Sequence, residues 1–442
     1  MLIRFKVGNF LSFDGIQELS AIKGNTHGHP DHVRSFDGFG LLKVSAVYGA
    51  NASGKSNLVK AMIDSRNMIL YGDIMRSNKY FRPRPENKDK NSYFEFEFEI
   101  DSVFYSYGFE VLLSKQKVVS EWLYELSEQN RIIFQRTENV IAHEFRNDDK
   151  TRMDIYAEDM KGSSATLFLT EMSKKMRKDE KELSIFSKIS DWFRYHLRVI
   201  SSGRSPTVPG GEDLKGTAEL MSSFGTGIME IGYSKADDNE DIINKFSAEL
   251  REDLIRKKNR GVPNDKCAVI YDRPRGRYRI SLSENNEVVV ERMFFLHKDP
   301  NARFEMYEES DGTKRLYDLA AILLDPSDDI TYVVDELDLR LHPNLTYKFV
   351  ERFFEKMREQ KNQLIFTTHE SSLMDFKLLR RDEIWFIEKN ENDGSVLYSL
   401  EEFNERTDRK IDKAYLDGRY GGVPIFSTVF PCRENRSVSD PR

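Results

Sequence analysis

The sequence predicts an α/β fold: a mixed sheet and an antiparallel β-subdomain, with a helical insertion between their halves. Three observations carry this. Short apolar runs such as 42–48 (LKVSAVY) and 330–334 (ITYVV) stop abruptly at a glycine or at acids, and helical periodicity follows them. Longer alternating runs, 93–100 and 103–112, read as a hairpin of an antiparallel sheet. From about 156 to 262 apolar residues instead recur at helical spacing amid dense charge, as at Phe168, Met172, Met176, Leu183, Phe186, Ile189 and Phe193. These shifts divide the chain into an N-terminal lobe 1–155, a helical insertion 156–265, a C-terminal lobe 266–428 and a polar tail 429–442.

In chain order, Leu2, Ile3, Phe5 and Val7 open a strand that Gly8-Asn9 bends. The run 42–48 is a second strand, ended by Gly49. Helical spacing of Leu58, Met62 and Met68 starts at Ser56, and the Arg-, Lys- and Pro-rich stretch 76–92 is a loop. The hairpin comes next, then the charged insertion with a Gly/Ser/Pro loop at 201–216 and a second helix over about 239–259. Strands return with CAVIYD, YRISLS and VVVERMFFL. From about 311 a helix, strand, helix, strand succession reads as α/β. No sustained heptads and no internal repeat are present.

Composition removes whole classes of function. The 442 residues hold 67 Lys plus Arg against 74 Asp plus Glu, a net charge of −7, so any contact with nucleic acid must be local rather than a uniformly basic coat. Two cysteines, Cys267 and Cys432, make neither a disulfide scaffold nor a four-cysteine zinc site, and fit a reducing compartment. Mean hydropathy is −0.60 and no run is long enough to span a bilayer. The N-terminus MLIRFKVGNF reads as a strand rather than a leader. A cytoplasmic protein without membrane contact is expected.

Chemistry concentrates in a few motifs. Gly49-Ala50-Asn51-Ala52-Ser53-Gly54-Lys55-Ser56 matches the phosphate-loop pattern G-x-x-x-x-G-K-[ST], between a strand and a helix. Its glycines let backbone N–H groups close on phosphate oxygens, and the helix turns its positive end to the anion. Lys55 would reach the β and γ phosphates, and the Ser56 hydroxyl would ligate Mg²⁺. Far along the chain, the strand 330–334 delivers Asp335 and Glu336, suited to hold magnesium and to polarise an attacking water. Glu309-Ser310-Asp311-Gly312-Thr313 heads an apolar helix whose start can offer the Ser310 hydroxyl and the Gly312 N–H to a phosphate. The strand 363–368 ends in His369, placed to contact a γ-phosphate and steady water.

Two other clusters weigh less. His27, His29 and His32 with Asp31 lie in a Gly- and Pro-containing loop that lacks a rigid frame for metal ligands, and read as an ordinary loop. Arg273, Arg275, Arg277 and Arg279 alternate in YDRPRGRYR, so a strand would put several on one face, where they could touch nucleic-acid phosphates or be solvated beside acids.

The order of phosphate loop, Ser-x-Gly signature, Asp-Glu pair and His resembles the ABC-type ATPase head of SMC and RecF-like proteins. Asn51 and the stretch Leu337-Asp338-x-x-Leu341-His342-Pro343 are similar to the same branch. The N-terminal strand, the run after Tyr93 and the ending YLDGRYGGVP resemble a narrower group, the bacterial AAA-family ATPases of the RloA and abortive-infection type, relatives of the PARIS AriA and OLD ATPases. The resemblance implies a P-loop ABC-type head that uses ATP and Mg²⁺ in a homodimer or higher homo-oligomer. Lys55, Ser56, Asp335, Glu336 and His369 would act in cis, Ser310 and Gly312 in trans, with Asp338 facing the other subunit. It also implies a role in defence against phage, with a separate nuclease-like effector. A DNA-repair ATPase and an ATP-binding scaffold with little turnover are the alternatives. Two departures stand out: Asp311 occupies a position where ABC transporters carry Gly, and no glutamine lies between Gln135 and Gln360, leaving Gln116 and Gln129 as candidates for the Mg²⁺-sensing glutamine. No acidic cluster of Toprim-nuclease type follows His369.

Overall fold

The computed structural model describes residues 1–138, 140–175, 182–201, 213–235, 267–272, 276–283, 288–299, 301–358, 360–403, 412 and 415. At its centre lies a six-stranded sheet in the order Leu197–Ile200, Thr331–Val334, Gln363–Thr368, Val44–Tyr48, Ile384–Lys389, Ser395–Ser399. The first five strands are parallel and the last is antiparallel. The parallel strands are short and apolar because both faces are covered. Their shared direction brings the residues after Ile200, Tyr48, Val334 and Thr368 to one edge of the sheet, where open α/β sheets bind ligands. The mixed α/β sheet with an antiparallel β-subdomain expected from the sequence is the architecture found.

Side-chain alternation divides that sheet between two cores. Val47, Val333 and Ile365 face one cluster, which also takes Leu58, Met62 and Ile69 of the helix Lys55–Tyr71 and Phe5, Phe94, Phe96 and Phe98 of a second sheet. Val44, Ala46, Val334 and Phe366 face the other, against Leu319 and Ile322 of the helix Asp311–Leu324 and Phe349 and Phe353 of the helix Pro343–Lys356. The helix that starts in the phosphate loop is therefore held between two sheets. Gln363, fully buried, also ties them: its amide donates to the Leu2 and Leu42 carbonyls and its carbonyl accepts from the Leu2 N–H, each at 3.0 Å.

The second sheet is antiparallel and seven-stranded, in the order Val140–His143, Arg131–Thr137, Lys117–Leu126, Val103–Leu112, Ser92–Ile100, Leu2–Gly8, Gln17–Ser20. The expected hairpin is present, with Ser92 opposite Val111 and Ile100 opposite Val103. Both faces of Ser92–Ile100 are buried, including Glu95, Glu97 and Glu99. Each acid has a cation: Lys6 at 2.9 Å from Glu95, Arg4 at 2.8 Å from Glu97 and Arg34 at 2.9 Å from Glu99. In the same sheet Glu121, with no exposure, accepts from the Phe168 and Leu169 N–H groups (2.6 and 2.9 Å) and from the Tyr107 hydroxyl (2.9 Å). It thereby satisfies the start of the helix Phe168–Lys175. Glu121→Ala strands those donors and should cost about 3 kcal/mol, read as a lower urea midpoint at unchanged slope.

The stretch 156–265, expected as a helical insertion, holds more than helices. Phe168–Lys175 and Ser184–Asp191 do form helices, and Phe168, Phe186, Trp192 and Phe193 join the core of the N-terminal lobe. Leu197–Ile200, however, is the outer parallel strand of the central sheet, and Glu230–Lys235 pairs with Val288–Leu296. Four-residue apolar strands leave no periodicity by which to tell them from helix. Glu230–Lys235 belongs to a third sheet with Val288–Leu296, Gly276–Leu282, Cys267–Asp272 and Arg303–Glu305. Met293 and Phe295 of this sheet pack on Tyr317 of the helix Asp311–Leu324. The expected helix at 239–259, Arg273, Arg275 and the tail 429–442 lie outside the described residues. Among the described residues no helix is long and apolar enough to cross a membrane.

Candidate functional site

The strand Val44–Tyr48 runs into a loop whose glycines are required by contact. A Cβ on Gly49 would lie 2.3 Å from the Ile387 carbonyl; one on Gly54, at φ +121, would lie 2.2 Å from the Ser395 hydroxyl. Ala52 also has positive φ. Ser395 donates to the Ser53 carbonyl and clamps the loop from the neighbouring strand. No side chain caps the helix at Gly54, so its positive end is open to an anion. Asn51 and Ala52 are exposed, and Ala50 partly so. The hydroxyls of Ser53 and Ser12, both buried beside this loop, have no partner.

Lys55 is 5% exposed. Its Nζ donates to the Gly49 and Ala50 carbonyls at 2.7 and 3.0 Å and lies 3.4 Å from Nδ1 of His369. Burial brings its pKa down to about 8, opposed by the charges of Asp338, Glu336 and Asp335. The His369 pKa is also lowered, by desolvation and by the Lys55 ammonium, which favours a neutral ring facing the lysine. Asp338 accepts the His369 backbone N–H at 3.3 Å.

The acid pair stands where the strand Thr331–Val334 ends. Asp335 is buried and accepts the Thr367 hydroxyl at 2.7 Å, while that hydroxyl accepts the Glu336 N–H at 2.8 Å. One threonine thus fixes both acids. Glu336 has φ +50, uncommon for a non-glycine, and its pKa is raised by desolvation and then by Asp335 and Asp338. The Ser56 hydroxyl and the Asp335 carboxylate are both hard oxygen donors, the kind that suits Mg²⁺.

Ser310 and Gly312 stand apart from this group. Ser310 is exposed and caps its own helix, accepting from the Thr313 N–H at 3.1 Å. A Cβ on Gly312 would lie 2.9 Å from the Arg340 carbonyl. Asp311, the departure from the transporter signature, is 3.2 Å from Arg340; both are more than half exposed, so the pair adds little stability.

Gln116 and Gln129 lie in turns of the antiparallel sheet. The backbone that flanks the acid pair is instead Leu197–Ile200, since the Asp335 N–H donates to the Ile200 carbonyl at 2.9 Å. Arg277 is buried with its guanidinium over Tyr317, and Arg279 pairs with Glu291 at 2.8 Å over Tyr233. They share a face as expected, but that face is turned to the protein's own aromatics. His29, Asp31 and His32 lie within 4.8 Å of one another, with His29 bonded to the Phe376 carbonyl and His32 to the buried Glu383.

Two residues of the site escaped the sequence reading. Thr367 could have been found as one of two hydroxyls that close a buried strand. Arg315, buried, donates to the Asp335 and Glu336 carbonyls at 3.0 and 2.8 Å; its signal is a charge at helical spacing from Leu319 and Ile322. A cavity of about 590 Å³ lined by Ser12, Asn57, Lys79, Tyr80, Arg82 and Lys389 opens beside the loop.

No curated protein matches the chain. Three solved structures are similar over most of its length at low scores. An SMC head bound to the C-winged helix domain of ScpA has a TM-score of 0.42 and 12% identity, covering 91% of this chain and 98% of that one. The SMC head domain from Thermotoga maritima gives 0.33 and 14%, covering 90% and 98%. An SMC head with an extended coiled coil, bound to the C-terminal domain of ScpA derived from Pyrococcus furiosus, gives 0.35 and 13%, covering 95% and 99%. A family model matches residues 44–375, more than half of the chain and the stretch from the phosphate loop to His369, and the chain belongs to that family, described as "AAA domain, putative AbiEii toxin, Type IV TA system".

Proposed function

We propose that this chain is an ATPase that binds MgATP in the loop Gly49–Ser56 and hydrolyses it between two copies arranged head to tail. The observation that carries the reading is the meeting of Lys55, His369 and the Asp335–Glu336 pair at one edge of the central sheet, while Ser310 lies exposed at another helix start with Gly312 half-buried beside it. In this reading Lys55 exchanges the Gly49 and Ala50 carbonyls for phosphate oxygens. Ser56 and Asp335 hold Mg²⁺, which would neutralise charge on the phosphates. Glu336 takes a proton from the attacking water, and neutral His369 orients it. The cavity beside the loop has room for the nucleoside. Ser310 and Gly312 are free to engage the γ-phosphate held by a second copy, and Asp338 lies at the same edge.

The family description, which names a putative AbiEii toxin of a Type IV TA system, supports a role in anti-phage defence. There, ATP-dependent pairing would hold or release a separate nuclease-like effector. The buried or paired Arg277 and Arg279 argue against direct DNA binding through that strand.

The test is the mass of the Glu336→Gln chain by light scattering, with and without MgATP. The expected result is a shift from monomer to dimer on adding nucleotide. A monomer under both conditions would overturn the sandwich, and a constant dimer would overturn its control by ATP.

A further inference from the structure

The helix Asp311–Leu324 begins at an exposed serine and ends in the core, and its first turns grip the acid loop at three points. Asp311 pairs with Arg340 at 3.2 Å. Gly312 lies against the Arg340 carbonyl so closely that a Cβ would fall 2.9 Å from it. Arg315 is 5% exposed and spends one terminal nitrogen on two carbonyls, those of Asp335 and Glu336, at 3.0 and 2.8 Å, while its buried Nε has no partner. A buried guanidinium with an orphaned N–H is costly and needs a local reason. The reason lies at the residue it holds: Glu336 has φ +50, a conformation that is strained in a non-glycine and persists only when its surroundings enforce it. Thr367 secures that residue's N–H from one side, and Arg315 secures its carbonyl from the other.

We propose that Arg315 is a positioning residue: it locks the backbone of Glu336 in its left-handed conformation and makes the helix that starts at Ser310 one rigid unit with the acid loop. Engagement of the exposed helix start is thereby transmitted to the carboxylate that activates water. This rests on the ATPase reading above, and it gives that reading a physical link between the signature and the chemistry. The guanidinium touches neither nucleotide nor water in this role. Its removal should change turnover and leave nucleotide affinity alone.

The test compares wild type, Arg315→Lys, Glu336→Gln and the double variant. Lysine keeps the charge, but its ammonium ends one bond short of the terminal nitrogen with which Arg315 reaches both carbonyls. For Arg315→Lys we expect kcat to fall about tenfold or more with the ATP dissociation constant within about twofold of wild type. The double variant should turn over at the rate of Glu336→Gln alone, because residues acting as one unit are non-additive. A rate for Arg315→Lys within about twofold of wild type, a parallel loss of nucleotide affinity, or multiplied losses in the double variant would each overturn the proposal. Amide exchange without nucleotide gives a readout free of turnover: exchange at 335–341 should quicken in Arg315→Lys while the strand Val44–Tyr48 stays protected. Unchanged exchange would overturn the lock even if the wild type proved no ATPase. A wild type no faster than Glu336→Gln, with exchange quickened, would overturn only the hydrolytic reading. Should the lysine variant unfold, Arg315→Gln, which drops the charge and ends two bonds short of the same position, takes its place in every arm.

Discussion

Lys55→Ala should abolish nucleotide binding at ordinary concentrations, with the dissociation constant for MgATP rising on the order of 100- to 1000-fold. The ammonium is nearly buried and bonded to two loop carbonyls 2.7 and 3.0 Å away. A γ-phosphate offers it a full negative charge in place of those dipoles, and a charge-assisted bond in a desolvated cleft is worth about twice a neutral one. The variant should stay folded, because it removes a charge whose burial is already unfavourable. The same burial predicts a pH dependence. The folded pKa is lowered from 10.5 to about 8, so the unfolded chain binds the proton more tightly. The cost of carrying the buried charge is present below pH 8, and it disappears as pH rises from about 8 towards 10.5. Nucleotide binding has the opposite need. Affinity should hold below about 8 and fall by up to about tenfold per unit above it, while Lys55→Arg shows no such fall. Titration with a fluorescent ATP analogue at pH 7 to about 9.5 checks both; an Arg variant that loses affinity in parallel with wild type would sink the assignment.

The phosphate loop was legible because its chemistry needs consecutive backbone N–H groups, so its residues are contiguous. The acid pair and His369 were legible because each ends a buried apolar strand, and the fold had only to bring those strands side by side. The strand Gln363–Thr368 does so by lying between Val44–Tyr48 and Thr331–Val334. What escaped acts across the chain. Thr367 means nothing until its strand lies beside Asp335, and Arg315 reads as a solvated helix charge until the helix docks on the acid loop. The run FEFEFE reads as a hairpin strand, and its glutamates are buried because Lys6, Arg4 and Arg34 come to them from other strands. Leu197–Ile200 was hidden in a helical stretch for want of length.

Glu336→Gln should lose turnover by roughly 100- to 10,000-fold while keeping MgATP affinity. The two effects separate because the carboxylate has two distinct consequences. As a base it must accept a proton from water, and general-base catalysis is worth about 3–5 kcal/mol of barrier; an amide has no such basicity. As a charge it stands beside Asp335 and Asp338, and those acids help raise its pKa above the usual carboxylate range. Gln removes that crowding at nearly constant shape, and the bonds that fix the residue, from its N–H to Thr367 and from Arg315 to its carbonyl, are backbone bonds that survive the substitution. The amide can still hold a water in line with the phosphate. The variant is therefore expected to remain loaded, which makes it the form in which nucleotide-dependent pairing is seen most clearly. Phosphate release in single turnover, set against equilibrium binding of the same nucleotide, measures the split. A variant that loses binding with turnover would show that Glu336 holds the nucleotide rather than activating water. A variant that keeps wild-type turnover would show that the proton goes elsewhere, and His369 would then be the group to examine.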